Sequence, residues 1–136
     1  MDELAKFKVQ FIGFAGNHVR DLQRQLGEIR NDLANHTVVT EMHMSAHSLK
    51  GEAYAVGYKQ IGDLAGMAEK YLRQLLDTKS DFPIEKFPAF AYVIAMIASA
   101  ITKLEQTNEE PELKEIINTS KEQLGIDQYD DFISRG

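Results

Sequence analysis

Apolar positions along the chain recur at intervals of three and four, which is the period of amphipathic helices rather than of strands. The spacing predicts a first helix over residues 2–34, with Leu4, Phe7, Phe11, Ala15, Val19, Leu22, Leu26, Ile29 and Leu33 as its inward stripe. Gly13, Gly16 and Gly27 each weaken such a helix by up to ~1 kcal/mol relative to Ala, which leaves a break near Gly16 and Asn17 open. A second helix is expected over residues 37–56. There Val39, Met42, Ala46, Leu49, Ala53 and Val56 repeat as 3-4-3-4-3, the seam of a bundle, and Gly57 stands where a C-cap would end it. A third helix over residues 59–77 carries Ile61, Leu64, Ala65, Ala68, Leu72, Leu75 and Leu76. So short a link makes the second and third helices antiparallel neighbours.

Residues 78–82 read as a polar loop. The fourth helix begins near Pro83 or Pro88 and ends near Gln106, proline being suited to a first helical turn. Its stretch from Phe87 to Ile101 is apolar nearly all round. That is shorter than the ~20 apolar residues a membrane span needs, so a helix buried on several sides is expected and no span. The fifth helix begins at Pro111, with Asn108 in its cap region, and stops before Gly125; Leu113, Ile116, Ile117 and Leu124 face inward. Residues 126–136, with Tyr129, Phe132 and Ile133, are expected to dock on the bundle. The sum is an all-α protein, an antiparallel up-and-down four-helix bundle with an additional C-terminal helix, in a single domain over residues 1–136.

Composition narrows the function. A chain of 136 residues can bury a core without a staple. The absence of cysteine excludes disulfides, thiolate metal sites and a cysteine nucleophile, and suits a reducing cytosol. A net charge of −6, from 15 basic and 21 acidic residues with no basic block, speaks against nucleic-acid binding. The first eight residues mix Asp2, Glu3, Lys6 and Lys8 with apolar residues, so no secretory signal is expected and the location is taken as cytoplasmic. Neither a GxxxxGK[ST] loop nor a kinase glycine-rich loop is present, so any phosphoryl group would come from another protein.

The chemistry-bearing residue is His47. Helical geometry puts it roughly 120–140° from the centre of the local seam, on an exposed shoulder shared with His43, Lys50, Gly51 and Tyr54. An exposed imidazole is a nucleophile near neutral pH. Lys50, one turn on, offers positive charge to an incoming phosphoryl group. Gly51 costs about 1 kcal/mol in a helix interior and leaves room for close approach by a partner. Glu69 lies 22 positions after His47, and the turn at Gly57 puts the two at about one level. A carboxylate there can accept a hydrogen bond from Nδ1–H and leave Nε2 free.

The segment from Ala46 to Gly57, AHSLKGEAYAVG, resembles the signature of histidine-containing phosphotransfer (HPt) domains: His-x-Leu-Lys-Gly, with a second glycine ten residues after the histidine. The resemblance extends to helix order, the tight turn and overall length. It implies that His47 is the phosphoacceptor, taking a phosphoryl group on Nε2 from a sensor or hybrid histidine kinase, or exchanging one with the aspartate of a response-regulator receiver domain. It implies a phosphocarrier, not an enzyme with its own ATP site, and no cofactor in this chain, Mg²⁺ belonging to the receiver. A monomer is expected, with dimerisation through the fourth helix left open. Glu69 resembles the glutamate of chemotaxis-type kinases, where many other members carry glutamine. Three positions depart from the pattern. Gly66 stands where chemotaxis-type domains often have a second histidine. Tyr54 is bulky and Glu52 is charged where the family is usually small, Glu52 pointing away from the site.

Other readings of these residues stand beside this one. Gly62, Gly66 and Glu69 form a stripe on the third helix; the glycines either leave a shelf beside His47 for a receiver or let two helices pack closely. His36, His43 and His47 share a stripe, and His43 and His47 have the i,i+4 spacing of zinc ligands that Glu69 could complete, although Lys50 opposes a cation there. The alternative function is therefore a non-catalytic helical interaction module with a degenerate or metal-binding histidine site. His18 is expected to be solvated, and Lys59, Lys70 and Arg73 to form a solvated face.

Overall fold

The computed structural model describes residues 2–126. It contains five α-helices: α1 (Glu3–Asn31), α2 (His36–Ala55), α3 (Lys59–Thr78), α4 (Phe87–Thr107) and α5 (Lys114–Leu124), with one 3₁₀ turn (Ile84–Lys86) before α4. No strand occurs among the described residues. Successive helices run antiparallel, and α4 returns to pack on α1, which closes the four-helix ring; α5 lies across α3 and α4. The bundle with an additional C-terminal helix is the fold the periodicity predicts.

The expected seams form the core. Val39, Met42, Ala46, Leu49 and Ala53 of α2 are buried, as are Ile61, Leu64, Ala65, Ala68 and Leu72 of α3 and Phe90, Ile94, Ile97 and Leu104 of α4. Leu76 and Ile116 are only partly buried. The α2–α3 turn follows from one glycine. Gly57 adopts φ +90°, a conformation that costs a side-chain-bearing residue energy. Its N–H donates to the Tyr54 carbonyl at 3.1 Å and Tyr58 N–H donates to the Ala53 carbonyl at 2.9 Å, a Schellman closure that satisfies the carbonyls at the end of α2. Tyr58 then buries its ring against Phe11.

Several expectations fail for reasons of packing. The α1 glycines do not break that helix, which is continuous through Gly16. Leu4 and Phe7 belong to the α1 stripe but are half exposed, because α1 runs beyond the level at which α2 turns back. Phe82 is not loop surface: it is 1 % exposed, donates its N–H to the Leu33 carbonyl, and packs with Tyr71, Phe87 and Phe90 into the far end of the bundle. Asn108 does not cap α5 but ends α4 in the left-handed region, φ 61°. The fifth helix starts at Lys114, three residues after Pro111. The link between them instead serves α3, whose Ile61 N–H donates to Glu110 Oε2 at 2.8 Å, while Leu113 N–H donates to Gln60 Oε1 at 2.6 Å. Ile126 is buried, and the expected docking of residues 127–136 lies outside the described residues. The segment Ile84–Thr107 is longer than its apolar run suggested and is long and apolar enough to cross a membrane. A bundle's core helix passes the same test, and here Phe90, Val93, Ile94 and Ile97 face the core.

Two glycine-to-alanine variants should move stability in opposite directions. Gly57→Ala forces a Cβ into a left-handed turn and should cost about 1 kcal/mol. Gly51→Ala, where an added Cβ meets nothing within 4 Å, should gain up to about 1 kcal/mol from helix propensity. Urea unfolding monitored by circular dichroism reads both, and a destabilised Gly51→Ala would mean that the position is packed rather than open.

Candidate functional site

The site sits between α2 and α3, at the level the turn geometry dictates. His47 projects from α2 with 62 % of its side chain exposed. Its Nδ1 lies 2.6 Å from Oε2 of Glu69, whose side chain is 1 % exposed on α3. The second oxygen, Oε1, accepts from Lys50 Nζ at 3.0 Å, and the Lys50 side chain is itself only 8 % exposed. Arg73, one turn further along α3, holds Nη2 at 4.0 Å from the same oxygen. A buried carboxylate is costly unless both oxygens find donors, and this one finds a cation on one side and an imidazole on the other. With Glu69 accepting, the proton of a neutral His47 lies on Nδ1 and the Nε2 lone pair faces solvent.

The structure brings His47, Lys50 and Glu69 together and leaves Gly51 open on the exposed surface. It alters the expected place of Lys50, whose ammonium turns down onto Glu69 instead of standing beside the imidazole. The stem reaches there across Gly66, where a Cβ would lie 3.2 Å from Lys50 Cδ. Gly62 is covered by the Tyr54 ring. The glycine stripe is therefore filled by α2 side chains and offers no shelf; of the two readings of these glycines, close packing is the one observed.

His43 lies parallel to His47, ring planes 11° apart and centroids 6.4 Å apart. Its Nε2 is buried and has no hydrogen-bond partner among the described residues. Burial pushes its pKa below the usual 6.5 against the attraction of Glu69, and the charges of Arg73, His47 and Lys50 push the same way. His43 is thus a neutral wall to the site. His18 is not solvated: Nε2 stands 3.3 Å from Oε2 of Glu52, which points toward α1 and away from His47. His36 pairs with Asp81 at 3.3 Å. No group of three or more His, Asp and Glu side chains with the geometry to hold a metal occurs among the described residues. The hydrogen bond of the half-buried Tyr54 to the buried Asp63 is not legible in the sequence; only the i,i+4 spacing of Lys59 and Asp63, a contact of 2.9 Å, points toward it. A groove of about 760 Å³ between α4 and α5 is lined by Tyr92, Ile116 and Gln123, and no residue of the site lines it.

The centre of the site is thus an exposed imidazole held by a buried carboxylate of the neighbouring helix. The family model of the Hpt domain matches residues 8–114, most of the chain. The chain belongs to the Hpt domain family. The family implies histidine phosphotransfer in a phosphorelay, and its members are phosphocarrier modules that work with kinases and receiver domains. Among curated proteins it is similar to the chemotaxis protein CheA of Listeria monocytogenes serovar 1/2a and to that of Listeria innocua serovar 6a. Each is 30 % identical over 69 residues, which is 51 % of this chain and 11 % of the relative. No solved structure gives a significant match.

Two measurements test the electrostatics of this Hpt site. Glu69→Ala takes the buried carboxylate away from the Lys50 ammonium and should cost about 3 kcal/mol; Lys50→Met in the same chain should recover more than ~1 kcal/mol of that loss, and strict additivity in urea melts would mean no coupling. The second concerns His43. Its folded pKa lies below its unfolded value, so below pH 6.5 the unfolded chain takes up the proton first. Stability should therefore fall as pH drops from 6.5 toward the folded pKa, and His43→Phe should flatten that slope; an unchanged slope would show that His43 is not the group responsible.

Proposed function

We propose that this chain, as one Hpt domain over residues 1–136, carries a phosphoryl group on His47 Nε2 and exchanges it with the aspartate of a response-regulator receiver domain, a sensor or hybrid histidine kinase being the original donor. The observation that carries the reading is the 2.6 Å contact between Nδ1 of an exposed His47 and the buried Glu69. In the accepting direction, the Nε2 lone pair attacks phosphorus of the aspartyl phosphate. The Nε2–P bond forms, the acyl P–O bond breaks, and the aspartate leaves as carboxylate. The ring becomes cationic while still holding its Nδ1 proton, and Glu69, which accepts that proton's hydrogen bond, stabilises the charge. Donation to a receiver runs the same steps backwards.

Lys50 supplies positive charge beneath the acceptor. To meet the phosphoryl oxygens its Nζ has to swing outward from Glu69, which leaves that carboxylate to the His47 imidazole and to Arg73. Gly51 leaves space for the partner backbone to come close. The reaction needs positioning more than covalent chemistry, so the chain carries no cofactor of its own, and Mg²⁺ is held by the receiver. The surface around His47 suits a docking protein. Ser48, Gly51 and Ala55 are small and exposed, and the strip leads to a groove of about 290 Å³ lined by Phe7, Phe11, Phe14 and Val56, with Phe7 and Phe14 about half exposed. A monomer in the cytoplasm, without nucleic acid or membrane span, completes the reading.

Treatment with phosphoramidate followed by intact mass tests the acceptor. One added phosphoryl group is expected on the natural chain, lost in mild acid, and none on His47→Gln. An equal adduct on the variant would move the acceptor elsewhere.

A further inference from the structure

Tyr54 stands in line with His47, two turns further along α2, on the face that a partner must cover. Side chains of a helix lean toward its N-terminus, so an upright phenol at this position would lie over Lys50 and Gly51, toward the imidazole. It is not upright. The ring lies down against α3 over Gly62, where an added Cβ would fall 2.5 Å from Tyr54 Cδ1 and closer still to Cε1. No side chain fits between them. The hydroxyl donates to Asp63 Oδ1 at 2.6 Å, and Asp63, 3 % exposed, accepts from Lys59 Nζ on its other oxygen at 2.9 Å. With the phenol held down, an added Cβ at Gly51 would meet nothing within 4 Å.

We propose that Gly62 and Asp63 form a latch that holds the Tyr54 ring flat against α3, so that Tyr54 controls whether a protein domain, as opposed to a small phosphodonor, can reach His47. The inference rests on the phosphotransfer reading and deepens it: Tyr54 is the specificity-determining residue for the partner. It takes no part in the chemical step. A small donor needs only the exposed Nε2, whereas a receiver must also cover the surface over Gly51.

The test compares the natural chain with Gly62→Ala, Asp63→Ala, Tyr54→Ala and Tyr54→Ala/Gly62→Ala in two reactions. The first is uptake from phosphoramidate. The second is transfer, with Mg²⁺, from the phosphorylated chain to whichever purified receiver domain of a panel discharges the natural chain fastest. Gly62→Ala has no room for the ring and should turn it outward. Its phosphoramidate rate should stay at the natural value, while transfer to the receiver should slow about tenfold or more, chiefly through the receiver concentration needed for half-maximal rate. The double variant has no ring to displace and should regain transfer. Asp63→Ala removes the carboxylate to which the phenol donates without filling the space over Gly62, and it tests the same claim should Gly62→Ala fold poorly by circular dichroism. It should slow transfer in the same sense and be rescued by Tyr54→Ala. Undiminished transfer by a folded latch variant, or a double variant as slow as the single one, would overturn the latch. A natural chain that takes up phosphoryl but passes it to no receiver, or takes up none, would overturn the phosphotransfer reading and the latch with it.

Discussion

A carboxylate buried between two helices has to be paired, and the pairing of Glu69 organises everything around it. One oxygen holds the Lys50 ammonium and the other the His47 imidazole. In a medium of low polarity, either bond left unmade costs several times what the same bond contributes at the surface. The pairing is met in the register that the Gly57 turn sets, which places His47, ten residues before Gly57, level with Glu69, twelve after it. It also explains one small residue on α3: Gly66 lets the stem of the lysine that bonds Glu69 cross. Stability and chemistry thus share one contact. The bond that satisfies Glu69 is also the bond that assigns the imidazole proton to Nδ1.

The rest of the bundle supplies rigidity and level. The Schellman closure at Gly57 fixes how far α3 slides along α2, and the side chain of Glu110, reaching from the α4–α5 link, caps the first turn of α3. The aromatic group of Tyr71, Phe82, Phe87 and Phe90 seals the opposite end. Between these ends, α2 exposes Ser48, Gly51 and Ala55 beside His47, and α3 buries every residue from Ile61 to Glu69. Such an arrangement holds the His47 imidazole on a stiff surface and leaves it exposed.

What was legible in the sequence is what depends on local period and on one turn. The 3-4 repeat of α2 and α3 names their buried residues, Gly57 names the turn, and the 22-residue offset between His47 and Glu69 then follows by counting along two antiparallel helices. What was hidden depends on which neighbour is present. Leu4 and Phe7 carry the right period but have too little opposite them to pack on. Phe82 sits in a run of polar residues and is pulled inward by the open end of the bundle. Asn108 and Pro111 read as the start of α5, but the left-handed residue belongs to the end of α4 and the proline to a link committed to α3. The burial of Lys50 was out of reach because a lysine on an exposed shoulder ordinarily points to water, and only the carboxylate beneath it turns it down. The conformation of Tyr54 likewise requires Gly62 and Asp63 together, residues that no spacing rule on α2 involves.

The claim on which the account stands is that Glu69 holds His47 in the tautomer with Nδ1 protonated and Nε2 bare. Long-range ¹H–¹⁵N correlation spectra of the His47 ring measure this directly, before and after phosphorylation. The account predicts a protonated Nδ1 and an unprotonated Nε2 in the neutral ring, with the phosphoryl group bonded to Nε2 and the Nδ1 proton retained. A neutral ring protonated on Nε2, or a phosphoryl group on Nδ1, would contradict it.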